Sequence, residues 1–172
     1  MLHTLPQRCV FSGLMNIKLF ISDVDGTLTD GGMYYNASGE IMKKFNTRDA
    51  FGLRLLKENG IELALISGED SQIVRSRASK LKINKVYLGI SNKLPIVNQI
   101  CSDMDISLTN VAYIGDDLND LEVIQHVGLS FAVGDAEDEI KNQADIITTK
   151  NGGNGAVREA SNYILNLIQS SK

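Results

Sequence analysis

Two short acidic clusters carry the chemistry open to this chain. The first, Asp23-Val24-Asp25-Gly26-Thr27, sets two carboxylates one residue apart at the end of an apolar run. Residues i and i+2 of an extended strand project to the same side, so both acids would share a face if the strand ran on. Acids leaving a buried strand are costly unless a cation or solvent compensates them. A solvated turn is the alternative, because Asp-Gly is a common turn dipeptide. The second cluster, Gly115-Asp116-Asp117 with Asp120, crowds negative charge at another strand end and favours a hard cation with oxygen ligands. Ser67-Gly68 follows an apolar run ending at Ile66, and Lys93 opens a helical pattern. Alone, the first is an ordinary turn and the second an ordinary solvated charge. At neighbouring strand ends, all four would converge on one site.

The elements that must position them alternate regularly. Ile17–Ser22, Ile61–Ile66, Val86–Leu88, Val111–Ile114 and Leu129–Val133 are short, apolar and bounded by turn or charged residues, as buried strands are, with Asp145–Thr148 a weaker candidate. Helical spacing runs through Asp49–Asn59, Ser71–Leu81, Lys93–Met104, Leu118–His126 and Ala156–Gln169. Such alternation forces parallel pairing, since each crossover needs a helix to return the chain. The predicted fold is a doubly wound α/β sheet, whose ligands sit outside the carboxyl ends of the strands. One segment interrupts the pattern: Met33–Asn36 and Glu40–Asn46 flank Ala37-Ser38-Gly39, a plausible hairpin directly after the first strand. Its exposed edges need covering, and subunit assembly is one way to cover them.

Composition narrows the classes. With 172 residues, 43% hydrophobic and 22% charged, the chain has the make-up of one ordinary globular domain. Its net charge is −4 with no basic block, which argues against nucleic acid. Cys9 and Cys101 lack metal or redox spacing, so a reduced, cytoplasmic protein is expected. No apolar stretch reaches membrane-span length. Residues 1–14 are irregular and expected to be disordered, with Met15 a candidate start and residues 15–172 a single domain.

In order, Asp23-x-Asp25-Gly26-Thr27, Ser67, Lys93 and Gly115-Asp116-Asp117-x-x-Asp120 resemble the motifs of the haloacid dehalogenase superfamily, over roughly residues 17–168. The resemblance implies Asp23 as nucleophile, Asp25 as general acid/base, and Ser67 and Lys93 as holders of the transferring phosphoryl group. It also implies Mg²⁺ bound by Asp23, the Asp25 backbone carbonyl and Asp116, with Asp117 and Asp120 in support. A phosphate dianion repels an attacking carboxylate, so cationic groups must neutralise it before an acyl phosphate can form. The superfamily's ion pumps resemble Asp-Lys-Thr instead, lacking the second acid; Asp25 therefore favours hydrolysis over a long-lived phosphoenzyme.

No segment is long enough for a cap domain. The layout resembles the superfamily's capless branch, which includes phosphatases of 3-deoxy-manno-octulosonate 8-phosphate and of nine-carbon sialic-type acids. The resembling stretches are Thr29–Gly32, Phe45–Gly52, Tyr113–Asp120 and Gly152–Glu159. In that branch the hairpin builds the barrel of a homotetramer, and a neighbouring subunit roofs each site. The implied substrate is a small 2-keto-3-deoxy sugar acid with a terminal phosphate, the eight-carbon octulosonate being expected and a nine-carbon sialic-type acid the alternative. Thr47, Arg48, Gly68, Glu69, Arg77 and Lys80 are the candidate substrate-binding residues, with Arg75 a weaker one. Arginine matches carboxylate geometry, but each arginine could equally be a surface ion pair. Octulosonate phosphatases tend to resemble Ser/Thr-Gly-Arg where this chain has Ser67-Gly68-Glu69; Glu69 with Lys80 looks more like the nine-carbon enzymes, whereas Arg48-Asp49 and the glycine-rich stretch look like the octulosonate ones. Two other classes compete: an idle oligomerisation module, and a receiver-type domain that keeps its phosphate as a signal.

Overall fold

The structure, a computed structural model, describes residues 16–170; the tail expected over residues 1–14 lies outside them. Six parallel strands form one sheet in the order β5-β4-β1-β6-β7-β8, from β1 (Leu19–Ser22), β4 (Glu62–Ile66), β5 (Lys85–Tyr87), β6 (Val111–Gly115), β7 (Leu129–Ala132) and β8 (Ile146–Ile147). Every residue of β1 and β6 is buried, which explains why these strands are uninterruptedly apolar rather than alternating. From β1 the chain builds outward to β4 and β5, then crosses to β6 and continues to β7 and β8. The winding therefore reverses at β1, and the crevice beyond its carboxyl end lies between β4 and β6.

The crossovers are α1 (Thr47–Glu58), α2 (Gln72–Lys80), α3 (Leu94–Asp103), α4 (Leu121–Ile124) and α5 (Asp138–Gln143), with α6 (Ala156–Ser170) closing the chain. Asn46 caps α1 by accepting from Arg48 N–H. Asp49 of α1 is buried and accepts from the Gly155 and Arg158 N–H groups at 3.2 and 2.9 Å, tying α1 to the start of α6. Burial raises its pKa, against those same N–H groups, which lower it. No helix among the described residues is long and apolar enough to cross a membrane.

Three elements differ from the sequence reading. The hairpin forms, with β2 (Tyr34–Asn36) antiparallel to β3 (Gly39–Met42), but β3 stops well short of Asn46. It stops because the Lys43 side chain turns inward and is fully buried, after which Phe45 bridges to Thr29. The helix expected over Leu118–His126 is a 3-10 turn, Leu118–Asp120, followed by the short α4, because the Asp120 carboxylate bends back to the Asp116 and Asp117 N–H groups. Helix α5 gave no periodic signal: of its six residues only Ile140 is buried.

The loop after β1 is held against Gly152-Gly153 at backbone distance. Gly153 N–H donates to Thr27 O at 2.9 Å, and a Cβ on Gly152 would stand 1.7 Å from Gly26 O. Gly152→Ala should therefore destabilise the protein by at least about 2 kcal/mol. Gly60→Ala, where φ is +81° but nothing lies within 4 Å, should cost only about 1 kcal/mol. Urea unfolding midpoints at constant slope measure both.

Candidate active site

Four loops at the carboxyl edge of the sheet bring their polar residues together. Asp23 and Asp25 follow β1, Ser67 follows β4, Lys93 precedes α3, and Asp116, Asp117 and Asp120 follow β6. The Lys93 side chain is fully buried, with Nζ 2.5 Å from Asp23 Oδ1 and 2.6 Å from Asp120 Oδ1. Tyr113, from within β6, donates its hydroxyl to the same Asp120 oxygen at 2.5 Å. Asp120's other oxygen accepts from the Asp116 and Asp117 N–H groups. Asp120 is thus held on both oxygens and fixes Lys93 beside Asp23.

Asp23, Asp116 and Asp120 each offer an oxygen within 4.8 Å of the others. Asp116 Oδ1 accepts from Thr27 Oγ at 3.0 Å, while Oδ2 of Asp23 is buried without a hydrogen-bond partner among the described residues. Such crowding shows in the acidities. Burial, then Asp120, push the Asp23 carboxyl well above its ordinary value against the opposing pull of Lys93, with Asp116 adding to the rise. Burial and Asp120 raise Asp116 to about 7. Lys93 moves the other way from a buried amine: burial disfavours its charge, but Asp23 and Asp120 more than offset this and its pKa rises. Tyr113 is held well above its usual range by burial and by Asp120.

An all-oxygen donor set with one orphaned carboxylate oxygen fits a hard divalent cation. Gly26 makes room for it: at φ +88°, a Cβ there would stand 2.0 Å from Asp116 Oδ2. The Asp25 side chain points away from this cluster. Its Oδ2 accepts from Ser67 Oγ at 3.1 Å and its Oδ1 pairs with Lys43 Nζ at 2.5 Å. Asp117 is exposed, and its carboxylate caps Leu118 N–H at 2.6 Å.

The substrate-binding candidates lie further out. Gly68 and Glu69 are exposed beside Ser67, whose Oγ accepts from Glu69 N–H at 3.1 Å. Arg77 and Lys80 line a depression of about 460 Å³ that Lys43 also borders. The Arg77 guanidinium stands 5.4 Å over the Phe45 ring, and its Nε is buried without a hydrogen-bond partner among the described residues. Thr47 and Arg48 are exposed at the start of α1. Arg75 is engaged by Asp70 at 2.6 Å, as a surface ion pair. Sequence reasoning passed over Lys43 and Tyr113. Tyr113 read as one more apolar strand residue. Lys43 sat in a hairpin arm where alternation gives no hint that a lysine turns inward.

A sequence profile described as haloacid dehalogenase-like hydrolase matches residues 90–159. The 3-deoxy-D-manno-octulosonate 8-phosphate phosphatase KdsC of Escherichia coli K12 is 44% identical over 150 residues, which cover 87% of this chain and 80% of that protein. The corresponding Haemophilus influenzae enzyme is 42% identical over 88% of this chain and 84% of its own length. Among solved structures, the cobalt-bound octulosonate phosphatase of H. influenzae superposes with a TM-score of 0.88 at 41% identity, covering 92% of both chains. The Moraxella catarrhalis enzyme, in complex with magnesium, phosphate and KDO, has a TM-score of 0.87 at 39% identity, covering 92% of this chain and 95% of that one. The chain belongs to the haloacid dehalogenase-like hydrolases, and it is a phosphatase.

Proposed function

We propose that this phosphatase removes the terminal phosphate of 3-deoxy-D-manno-octulosonate 8-phosphate through an aspartyl-phosphate on Asp23, as a homotetramer. The observation that carries the mechanism is the placement of Asp23, with one oxygen 2.5 Å from the buried ammonium of Lys93 and the other buried without a hydrogen-bond partner among the described residues. Support for the substrate comes from the relatives, whose names carry this ester.

Asp23 attacks phosphorus in line while Lys93 and Ser67 hold the phosphoryl oxygens. Asp25 gives a proton to the leaving alcohol, then takes one from the water that hydrolyses the acyl phosphate. Asp23, Asp116 and the Asp25 carbonyl are the groups that would hold Mg²⁺, with Asp117 and Asp120 in support. When bound, the ion offsets both the carboxylate crowding and the charge on the phosphate. The sugar carboxylate would meet Arg77, Lys80 and Arg48, supplied from this subunit or from the neighbour that roofs the site, with Thr47, Gly68 and Glu69 lining the approach. Support for assembly comes from the hairpin: Met33, Tyr34, Tyr35, Ile41 and Met42 are all exposed, a group of large apolar side chains that a neighbouring subunit would cover.

One observation favours a second reading. Glu69 borders Ser67 where an arginine is expected for the eight-carbon substrate, so a nine-carbon sialic-type 9-phosphate is the alternative. Comparing kcat/KM for the two esters decides between them. A preference of at least about tenfold, or 1.4 kcal/mol, for the octulosonate ester is expected, and the reverse order would reassign the substrate.

Asp23→Asn should abolish turnover of a generic phosphate ester with Mg²⁺; residual wild-type activity would remove Asp23 from its role. Asp25→Asn should keep phosphoryl capture better than turnover, seen as phosphoenzyme accumulating in acid-quenched samples. Equal loss of both would count against the acid/base assignment.

The raised carboxyl of Asp116 has a consequence for stability. The folded protein holds this proton more tightly than the unfolded chain does. Its contribution therefore falls as the pH climbs from about 4, where a free aspartate ionises, towards about 7. A cation needs the ionised form, so Mg²⁺ should bind about tenfold more weakly at pH 6 than at pH 8 and raise Tm less there. Asp116→Asn should lose the shift at both pH values; equal shifts in the native protein would contradict the account.

A further inference from the structure

Lys43 is not used by the mechanism above, yet its side chain is fully buried at the edge of the site. Its Nζ lies 2.5 Å from Asp25 Oδ1 and 2.7 Å from Glu40 Oε1. The other Glu40 oxygen accepts from the Ser71 hydroxyl, just ahead of α2. Burial works against the Lys43 charge, but the two carboxylates more than offset it and the pKa is raised. A buried ammonium is tolerated only where its partners are themselves held in place. Here Ser71 holds Glu40, β3 carries the backbone, and the chain turns inward one residue after Met42. The chain just past β3 therefore meets the loop after β1 in two ion pairs, the more exposed Lys44 with Asp30 at 3.0 Å and the buried Lys43 with Asp25, and only the second falls on the acid proposed for proton transfer.

Both oxygens of Asp25 are engaged, and by different groups. Lys43 occupies Oδ1, while Oδ2 accepts from Ser67 Oγ at 3.1 Å. Ser67 is proposed to turn to the phosphoryl group, which would free Oδ2. An ammonium held on Glu40 has no such alternative, so Oδ1 stays occupied. A carboxylate anchored through one oxygen presents the other in a fixed direction, and such orientation is a large part of what a positioned acid contributes.

We propose that Lys43, braced by Glu40 and Ser71, is a positioning residue for Asp25: it anchors Oδ1 so that the proton passes to the leaving alcohol from Oδ2. In that step Asp23 bonds to phosphorus, the bond from phosphorus to the leaving oxygen breaks with its electron pair on that oxygen, and the Asp25 proton follows; Lys43 keeps its own protons. The inference rests on the acid/base role proposed for Asp25.

The readout is leaving-group dependence, because a primary alkoxide needs a proton to depart and 4-nitrophenolate does not. With Mg²⁺ present, Lys43→Met should lower the single-turnover rate of alcohol release from a primary alkyl phosphate by about 10- to 100-fold and from 4-nitrophenyl phosphate by less than about threefold; hydrolysis of the acyl phosphate, common to both esters, does not enter this rate. Lys43→Arg should restore part of the alkyl activity. If the single variant does not fold, Lys43→Met with Glu40→Gln leaves neither Glu40 nor Lys43 as a buried charge and should show the same split. Equal losses of this rate on both esters, or weaker substrate binding with the rate unchanged, would overturn the proposal. Asp25→Asn on the same pair separates the two layers. If Asp25→Asn shows the split and Lys43→Met does not, positioning by Lys43 is wrong. If neither shows it, the acid/base reading of Asp25 falls and the inference with it.

Discussion

Three carboxylates and one ammonium share a buried space at the end of β1, and the rest of the molecule is arranged around that crowding. Asp23, Asp116 and Asp120 approach closely enough for one small ion to touch all three, and Lys93 is the only cation placed directly among them in the described residues. Repulsion at this distance in a poorly hydrated site is large, as the upward displacement of the Asp23 and Asp116 carboxyl groups records. A site with this imbalance of charge has a strong affinity for positive charge and a fixed place to put it. That combination is what transfer of a phosphate dianion to a carboxylate demands.

Holding like charges together requires a scaffold that cannot relax. Asp120 is bonded through both oxygens, to Tyr113 and Lys93 on one side and to two backbone N–H groups on the other. The loop after β1 cannot swing outward because Gly152 and Gly153 lie against its backbone, and those glycines are set by α6, which Asp49 ties to α1. The glycine-rich stretch is thus a structural clamp on the loop that carries Asp23, and its distance from the motifs in sequence hides that connection.

Much of this was legible in the residues. β1 and β6 are buried on both faces, so they read as uninterrupted apolar runs, and the acids that end them mark the edge where the sheet opens. The order of the motifs then named residues that the structure brings together at that edge. What was not legible was set by contacts that no local pattern announces. Lys43 leaves the hairpin for Asp25, ending β3 early; Asp120 folds back on its own loop, breaking what looked like one helix into a 3-10 turn and α4; and α5 contributes a single side chain to the core. In each case a side-chain hydrogen bond or a very short element overrode the periodic signal. Glu69 is the converse: it was conspicuous from sequence as a departure, and it stands exposed beside Ser67, where substrate selection would act.

The role proposed for Asp23 as nucleophile is central, and trapping the phosphoryl group on it is the direct test. A single turnover of a phosphate ester labelled in the phosphoryl group, quenched in acid and digested, should leave a hydroxylamine-labile label on the peptide carrying Asp23. A label on another residue, or burst-free turnover that transfers none to the protein, would contradict covalent catalysis by this carboxylate.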